Sequence, residues 1–303
     1  MPDMEAQVLL VGKLFLLMGI GVILRKRNII PEQGKPLLTD LVINVILPCS
    51  ILTSFFVEMT GQRLRQTVVI FFLSVGIQLF SYLWGLVGYR WCAPEHKTVM
   101  QYATVCSNSG ILGTPIAEGI FGAEGTLLAA VFLIPLRVVM WTLGLSFFTR
   151  KSGKFSLKKI VTHPCIAAVL VGIVLLAAKI PVPSLLKDTL TTVGSCNTAI
   201  SMLLVGSIVA DMSPELLVHR DTLYFCAVRL LILPLLVWMV CVGLDIDPLV
   251  RNLSVILTAM PAGATTSILA LKYQGDAPFA SACTAVTTVL SLAAVPLWCA
   301  ILL

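Results

Sequence analysis

The chain has 303 residues, of which 58% are hydrophobic and only 12% are charged, and its net charge is +6. Its mean hydropathy is +0.98. Soluble domains contain about 45–50% apolar and about 25% charged residues, so this composition excludes an ordinary soluble domain and indicates a polytopic membrane protein. The positive charge follows the connections between hydrophobic segments, as counted below, so we expect no nucleic-acid partner.

Cysteine and histidine give no sign of a cofactor. The nine cysteines form no C-x-x-C pair and lie mostly in apolar stretches, which favours small packing residues over disulfides or metal ligands. The three histidines, His96, His163 and His219, are far apart in the sequence and lie near the ends of hydrophobic segments. We therefore expect no metal site and no cofactor.

Hydrophobic segments long enough to cross a bilayer follow one another along the chain. A transmembrane helix needs about 20 mainly apolar residues. By this measure the sequence predicts an all-α membrane protein with ten spans, at 6–24, 38–57, 67–89, 98–121, 125–148, 160–179, 189–210, 222–244, 252–271 and 278–301. Met1–Gln7 carries Asp3 and Glu5 rather than basic residues, so the first segment is interpreted as a retained span and not as a cleaved signal peptide.

Lysine and arginine in the connections predict the orientation. The connections after spans one, three, five, seven and nine contain thirteen of these residues, and the opposite connections contain five. Because positive charge accumulates on the cytoplasmic side, we expect a plasma-membrane protein with both termini outside the cytoplasm. The longest basic connection, 149–159, is then cytoplasmic.

The fourth span is interrupted in its middle. Val99–Phe121 contains Ser107–Pro115, a stretch rich in Gly, Pro and hydroxyl residues. A broken helix at mid-depth is costly in a bilayer and is tolerated where its backbone lines a cavity. We expect irregular backbone around Gly110–Pro115 and, in the ninth span, around Pro261–Ala264. Glu118, one turn after the first break, is a candidate proton-carrying acid, although an acid at the outer interface is the commoner explanation.

The fifth span carries a charge at its centre. Arg137 lies near the middle of 125–148, where a charge costs about 2.5–3.5 kcal/mol on insertion scales and indicates a functional site. No carboxylate falls at mid-depth, so two partners remain open for Arg137: an anionic substrate, or the backbone carbonyls of a broken helix. Lys13 and Arg229 lie about two turns from the ends of their spans, and we expect their stems to reach the interface.

The basic connection 149–159 divides the chain into two halves, 1–148 and 160–303, with five predicted spans in each. Because five is odd, the second half enters the membrane from the opposite side. The ninth span, Ser254–Leu271, is interrupted like the fourth, by Met260–Thr266. Two broken spans at matching positions are typical of an inverted-topology repeat with a binding site at the bilayer midplane.

The predicted substrate site is the region where the two breaks meet. Helical segments that begin after each break present free N–H groups and a partial positive charge, which suit an anion. The predicted site consists of Asn44, Ser107, Asn108, Gly110, Thr114, Pro115, Arg137, Pro261, Gly263, Thr265 and Thr266. This set can hold a carboxylate without a metal. Asn197 in span seven is interpreted either as part of the cavity or as an interhelical hydrogen-bond residue.

Several motifs along the chain are similar to those of one family. They are Gly21–Arg27, Val42–Pro48, Ser107–Pro115, Trp141–Gly144, Met260–Ala264, Ala270–Tyr273 and Ser291–Pro296. Together, and over nearly the whole chain, they resemble the auxin efflux carrier family. Where plant members have a large central hydrophilic loop, this chain has only about ten residues, which favours a bacterial-type member.

The resemblance implies ten spans in two inverted repeats with broken crossover helices four and nine. It also implies a scaffold of spans one, two, six and seven, which often forms a homodimer, and a moving transport unit of spans three to five and eight to ten. Plant members export indole-acetic acid, and bacterial members are usually labelled malate permeases or auxin efflux carriers. The resemblance thus implies a secondary transporter of a small organic anion, such as malate or an auxin-like acid, with an elevator-type alternating-access mechanism.

Other functions are weighed against this one. The chain has no nucleophile elbow, no H-E-x-x-H zinc motif and no P-loop, so we expect neither an enzyme nor an ATP-driven pump. A receptor is equally disfavoured, since no appended domain is visible to read out a signal. An anion channel and a sodium-coupled symporter of the bile-acid type remain alternatives, and the coupling ion, H⁺ or Na⁺, is left open.

Overall fold

The computed structural model of the protein describes residues 4–56, 60–148, 164–178, 182–210, 219–263 and 265–302. These residues are helical apart from short connections and one isolated β-bridge. The α-helices are α1 Met4–Lys26, α2 Gly34–Leu41, α3 Leu47–Ser54, α4 Gly61–Val87, α5 Pro94–Val105, α6 Thr114–Val139, α7 Leu145–Phe148, α8 Pro164–Ala177, α9 Ser184–Val209, α10 Arg220–Ala227, α11 Leu233–Gly243, α12 Pro248–Thr258, α13 Thr265–Lys272 and α14 Ala277–Leu302. Four π-helical segments join some of them: π1 Val42–Ile46, π2 Ser109–Gly113, π3 Met140–Gly144 and π4 Val228–Ile232.

The helices have the length and composition that a polytopic membrane protein requires. Among the described residues, six helical stretches are long and apolar enough to cross a bilayer: Gly34–Ser54, Gly61–Gly88, Ser109–Val139, Ser184–Ser207, Arg220–Gly243 and Ala277–Leu302. Pro164–Leu175 and Pro248–Thr258 are shorter apolar helices. The count of ten spans and the inverted repeat remain predictions from the sequence.

Both predicted interruptions are present, but one is shifted. In the later span, α12 ends at Thr258 and α13 begins at Thr265, which confirms the break predicted around Pro261. In the earlier span, α5 ends at Val105 and the next residue, Cys106, has extended backbone (φ −108°, ψ 94°). Gly110–Pro115 form the last turn of π2 and the start of α6, so the non-helical residues, 106–108, lie just before the predicted position.

Proline explains where most of the π-helical turns fall. π1, π2 and π4 are each followed directly by an α-helix whose second residue is proline, namely Pro48, Pro115 and Pro234. Proline has no N–H to donate, and its ring clashes with the carbonyl four residues earlier; one wider turn accommodates both. At Pro234 that carbonyl, Leu230 O, instead accepts a hydrogen bond from Trp298 Nε1 at 2.8 Å. Proline therefore widens these helices without ending them.

Gly122 separates α6 into two helical pieces. Its backbone angles, φ 62° and ψ −148°, are not helical, and a positive φ is readily adopted only by glycine. The bend falls between the residues that the sequence assigns to spans four and five.

The structure divides into two compact units. The first unit contains Met1–Val68, Ile111–Val131 and Lys158–Asp211, and the second unit contains Val69–Gly110, Phe132–Leu157 and Met212–Leu303. In the first unit α1 and α9 pack closely, since a Cβ on Gly21 would overlap Leu203 O and one on Gly206 would overlap Met18 O. Small residues that let helix backbones approach are typical of membrane helix packing.

The second unit has an apolar core around α5. Tyr89, Met100 and Phe225 are fully buried in it, and Tyr89 Oη hydrogen-bonds Thr104 Oγ1 at 2.6 Å. This packing fixes the end of α5, where the interrupted backbone begins.

Candidate functional site

The two interrupted spans pair with each other in the second unit. Ser107 and Ala262 form an antiparallel β-bridge. On either side of it, Asn108 N donates to Pro261 O at 2.8 Å, and Gly263 N donates to Cys106 O at 2.9 Å. We call residues 106–110, 260–263 and 265 the crossing. The broken backbones thereby satisfy part of each other's hydrogen-bonding demand, as a bilayer interior requires.

Arg229 stabilises the helix ends at the crossing. Its side chain is only 4% exposed; Nε donates to Met260 O at 3.0 Å, and Nη1 donates to Thr104 O at 2.9 Å. Thr104 lies in the last turn of α5, where helix carbonyls have no partner in the helix and a positive charge is favourable, and Met260 follows the end of α12. The expectation that the stem of Arg229 reaches the interface is wrong, because these carbonyls are a better partner.

Two serine hydroxyls also link the crossing to α12. Ser109 Oγ donates to Leu257 O, in the last turn of α12, at 2.7 Å, and Ser107 Oγ lies 2.6 Å from Ser109 Oγ. Ser107, which the sequence predicts to bind substrate, is therefore linked to the end of the other interrupted span.

Thr265 connects the crossing with the segment that follows α6. Its Oγ1 lies 3.0 Å from Cys106 Sγ and accepts a long hydrogen bond, 3.5 Å, from Tyr102 Oη. The same hydroxyl is 4.0 Å from Met140 Sδ. Met140 is three residues after Arg137, so the two side chains lie on the same face of their helix.

Arg137 is buried beside the crossing. The residue is 7% exposed, and Nη2 lies 3.6 Å from the position that a Cβ on Gly110 would take. Among the described residues, the buried Nη1 has no hydrogen-bond partner. One of the two partners considered for Arg137 was a set of broken-helix carbonyls. In the structure it is Arg229 that donates to such carbonyls.

The eleven predicted site residues divide between the two units. Eight of them, Ser107, Asn108, Gly110, Arg137, Pro261, Gly263, Thr265 and Thr266, belong to the second unit, and Asn44, Thr114 and Pro115 belong to the first. Thr266 is fully buried, and its Oγ1 has no partner among the described residues. Asn44 is exposed and donates to Asp40 O of its own helix at 2.9 Å.

Glu118, in the first unit, interacts with α9. Its Oε2 accepts hydrogen bonds from Asn197 Nδ2 at 3.1 Å and from Thr198 Oγ1 at 3.4 Å. Asn197 is fully buried and also accepts from Ser201 Oγ at 3.3 Å. Asn197 therefore makes the interhelical hydrogen bond that was one of its two interpretations.

Two of the histidines, which are far apart in the sequence, lie together in the structure. The rings of His96 and His219 are 4.9 Å apart between centroids, and Asp221 lies with them. The sequence could not show this proximity, because the two residues lie at the starts of different helices that are distant along the chain. His163 lies outside the described residues.

Comparison with known proteins agrees with a helical membrane protein of this kind. Residues 8–157 and 146–299 match the model of a family described as membrane transport protein. The chain belongs to this family, which is that of the auxin efflux carriers. The protein is accordingly a membrane transporter.

Two archaeal relatives match over nearly their whole length. An uncharacterized transporter of Methanothermobacter thermautotrophicus is 28% identical over 294 residues, which cover 93% of this chain and 94% of the relative. An uncharacterized transporter of Methanocaldococcus jannaschii is 24% identical over 302 residues, with 95% and 96% covered.

Proposed function

We propose that this transporter carries a small organic anion with a carboxylate group, and that the carboxylate binds Arg137 beside the crossing. The observation that carries the proposal is the buried guanidinium of Arg137, whose Nη1 has no partner among the described residues. A buried charge without a partner is unfavourable. A carboxylate neutralises the charge and accepts two parallel hydrogen bonds from the guanidinium fork.

The surroundings of Arg137 support an anion. Gly110 leaves space next to the guanidinium, and the buried hydroxyl of Thr266 is a second polar group without a partner among the described residues. Helical segments begin at Ser109 and Thr265, and helix starts carry N–H groups and a partial positive charge. Malate and an auxin-like acid are the first substrates to test.

An elevator-type mechanism is part of this proposal. The first unit contains α1–α3, α8 and α9, which correspond to the spans predicted to form the scaffold. The second unit contains most of the predicted transport spans, and 111–131 group with the first unit. This grouping supports movement of one unit against the other. A homodimer through the scaffold helices, in the plasma membrane and with both termini outside the cytoplasm, completes the proposal.

Coupling to protons through Glu118 is proposed as well. The carboxylate accepts hydrogen bonds from the neutral groups of Asn197 and Thr198. Protonation of Glu118 therefore does not break an ion pair and leaves no positive side chain unpaired. In proteoliposomes, we expect Glu118→Gln to remove the pH dependence of uptake. Glu124→Gln is the control, since Glu124 pairs with Arg63 at 3.1 Å. Uptake that depends on sodium and not on Glu118 would replace the proton with Na⁺.

The anion proposal is tested by binding to Arg137 variants. Malate and indole-acetic acid are titrated into the purified protein by calorimetry, and the affinity of each variant is compared with the parent. Arg137→Gln removes the charge and should weaken binding roughly ten- to a hundredfold, the effect of one lost charge-assisted contact. The affinity of Arg137→Lys should lie between those of the parent and of Arg137→Gln, because lysine keeps the charge but lacks the planar fork of the guanidinium.

The control is Arg65→Gln, which removes the same charge from an exposed position of α4 and should leave affinity unchanged. If Arg137→Gln binds the anion within about twofold of the parent, Arg137 is not the anchor. Saturable flux in proteoliposomes is expected for a carrier, whereas an ohmic current would indicate an anion channel.

A further inference from the structure

Three helix starts meet at one end of the second unit. His96 is in the first turn of α5, His219 and Asp221 are at the start of α10, and Asp276 directly precedes α14. Positive-charge counting places all three of these connections on the predicted cytoplasmic side. The four side chains form a group that is separate from the crossing, and the proposed transport mechanism does not use them.

Three of these side chains present ligand atoms to one another. His96 Nδ1 lies 2.8 Å from Asp221 Oδ2, and the ligand atoms of His96, His219 and Asp221 all lie within 4.8 Å of one another. In a tetrahedral zinc site, ligands about 2.0–2.2 Å from the metal stand about 3.3 Å from each other. Small side-chain rotations therefore suffice to bring all three onto one ion.

A second carboxylate stands near the other nitrogen of His96. Its other nitrogen, Nε2, lies 3.6 Å from Asp276 Oδ2, and Asp276 Oδ1 is itself fixed by a hydrogen bond from Phe279 N at 2.9 Å. The imidazole stacks on the Phe279 ring, with centroids 3.7 Å apart and planes 11° from parallel. A carboxylate behind the imidazole, which fixes the ring orientation, is the usual outer partner of a metal-ligating histidine.

We propose that His96, His219 and Asp221 bind one Zn²⁺ ion, with Asp276 orienting His96. Two imidazoles and one carboxylate are a nitrogen-rich set that suits zinc and disfavours Mg²⁺ and Ca²⁺, which take oxygen ligands. The fourth zinc position takes water. The ion ties the start of α5 to the start of α10, and α5 runs from His96 to the crossing, about 15 Å away at the helical rise.

The test is zinc binding by protein without an affinity tag, treated with chelator and measured by calorimetry at neutral pH. We expect about one Zn²⁺ per chain and no binding of Mg²⁺. His219→Ala should weaken zinc binding at least about tenfold, since even outer-partner losses reach that size. His219 is exposed, so this variant should fold. Asp221→Asn is a less specific test, because Asp221 also accepts a hydrogen bond from Ala93 N.

The matched control is His163→Ala, which removes the one histidine outside the group. Zinc should raise the melting temperature of the parent and of His163→Ala, and it should not raise that of His219→Ala. Equal zinc affinity in the two alanine variants, or a melting temperature of the parent that does not respond to zinc, would overturn the site.

Discussion

The two buried arginines of the second unit differ in what surrounds them. Arg229 donates to Met260 O and Thr104 O, the ends of two interrupted helices. Arg137 is buried to a similar degree, 7% against 4% exposed, but its Nη1 has no partner among the described residues. Of the two arginines, Arg137 is therefore the one with a donor left for a ligand, which is why the proposed anion site is assigned to it.

The largest expected effect is the loss of Arg229. Arg229→Gln leaves two buried carbonyls without a charged donor, and each such hydrogen bond is worth about 1.5–3 kcal/mol. We expect the free energy of unfolding to fall by about 3–6 kcal/mol, measured by denaturation in detergent. Anion affinity in the folded fraction should not change. A melting curve like that of the parent would mean that the two helix ends do not need Arg229.

The opposite sign is expected at Arg137. Arg137→Met keeps an unbranched, flexible side chain and removes a charge that costs about 2.5 kcal/mol or more at mid-membrane. We expect the ligand-free protein to gain stability on the order of 2 kcal/mol, seen as a higher melting temperature, while anion binding is lost. A lower melting temperature would show that Arg137, like Arg229, has a structural partner.

The two glycines at the crossing should respond differently to a methyl group. A Cβ on Gly263 would lie 3.1 Å from Cys106 Sγ, whereas one on Gly110 would lie 3.6 Å from Arg137 Nη2. Gly263→Ala is therefore expected to cost about 1–3 kcal/mol through overpacking. Gly110→Ala should cost nothing in stability and should weaken anion binding. Equal melting temperatures for the two variants would contradict the close packing of the crossing.

The smallest effect is expected at the serines. Ser109→Ala removes the hydrogen bond to Leu257 O and should cost about 1 kcal/mol. Ser107→Ala keeps that bond and should cost less. Thermal denaturation of both variants in the same detergent measures the difference, and a larger loss for Ser107→Ala would reverse the assigned order.

The sequence alone predicted the properties that depend on neighbouring residues. Hydropathy identified a membrane protein, because a span must be apolar over its own length. The motifs around Ser107 and Met260 identified the family, and Pro261 marked a true break. Arg137 was recognised because a charge in the middle of an apolar segment is visible without a structure.

Tertiary structure decided everything that depends on partners distant in the chain. Pro115 follows a widened turn and does not interrupt α6. The preceding helix, α5, ends instead at Val105, where Arg229 and the backbone of the other interrupted span form hydrogen bonds with its last residues. Burial of Arg229 follows from those carbonyls, which no local pattern shows. His96 and His219 meet for the same reason: packing of helix starts, and not spacing in the sequence, brings their side chains together.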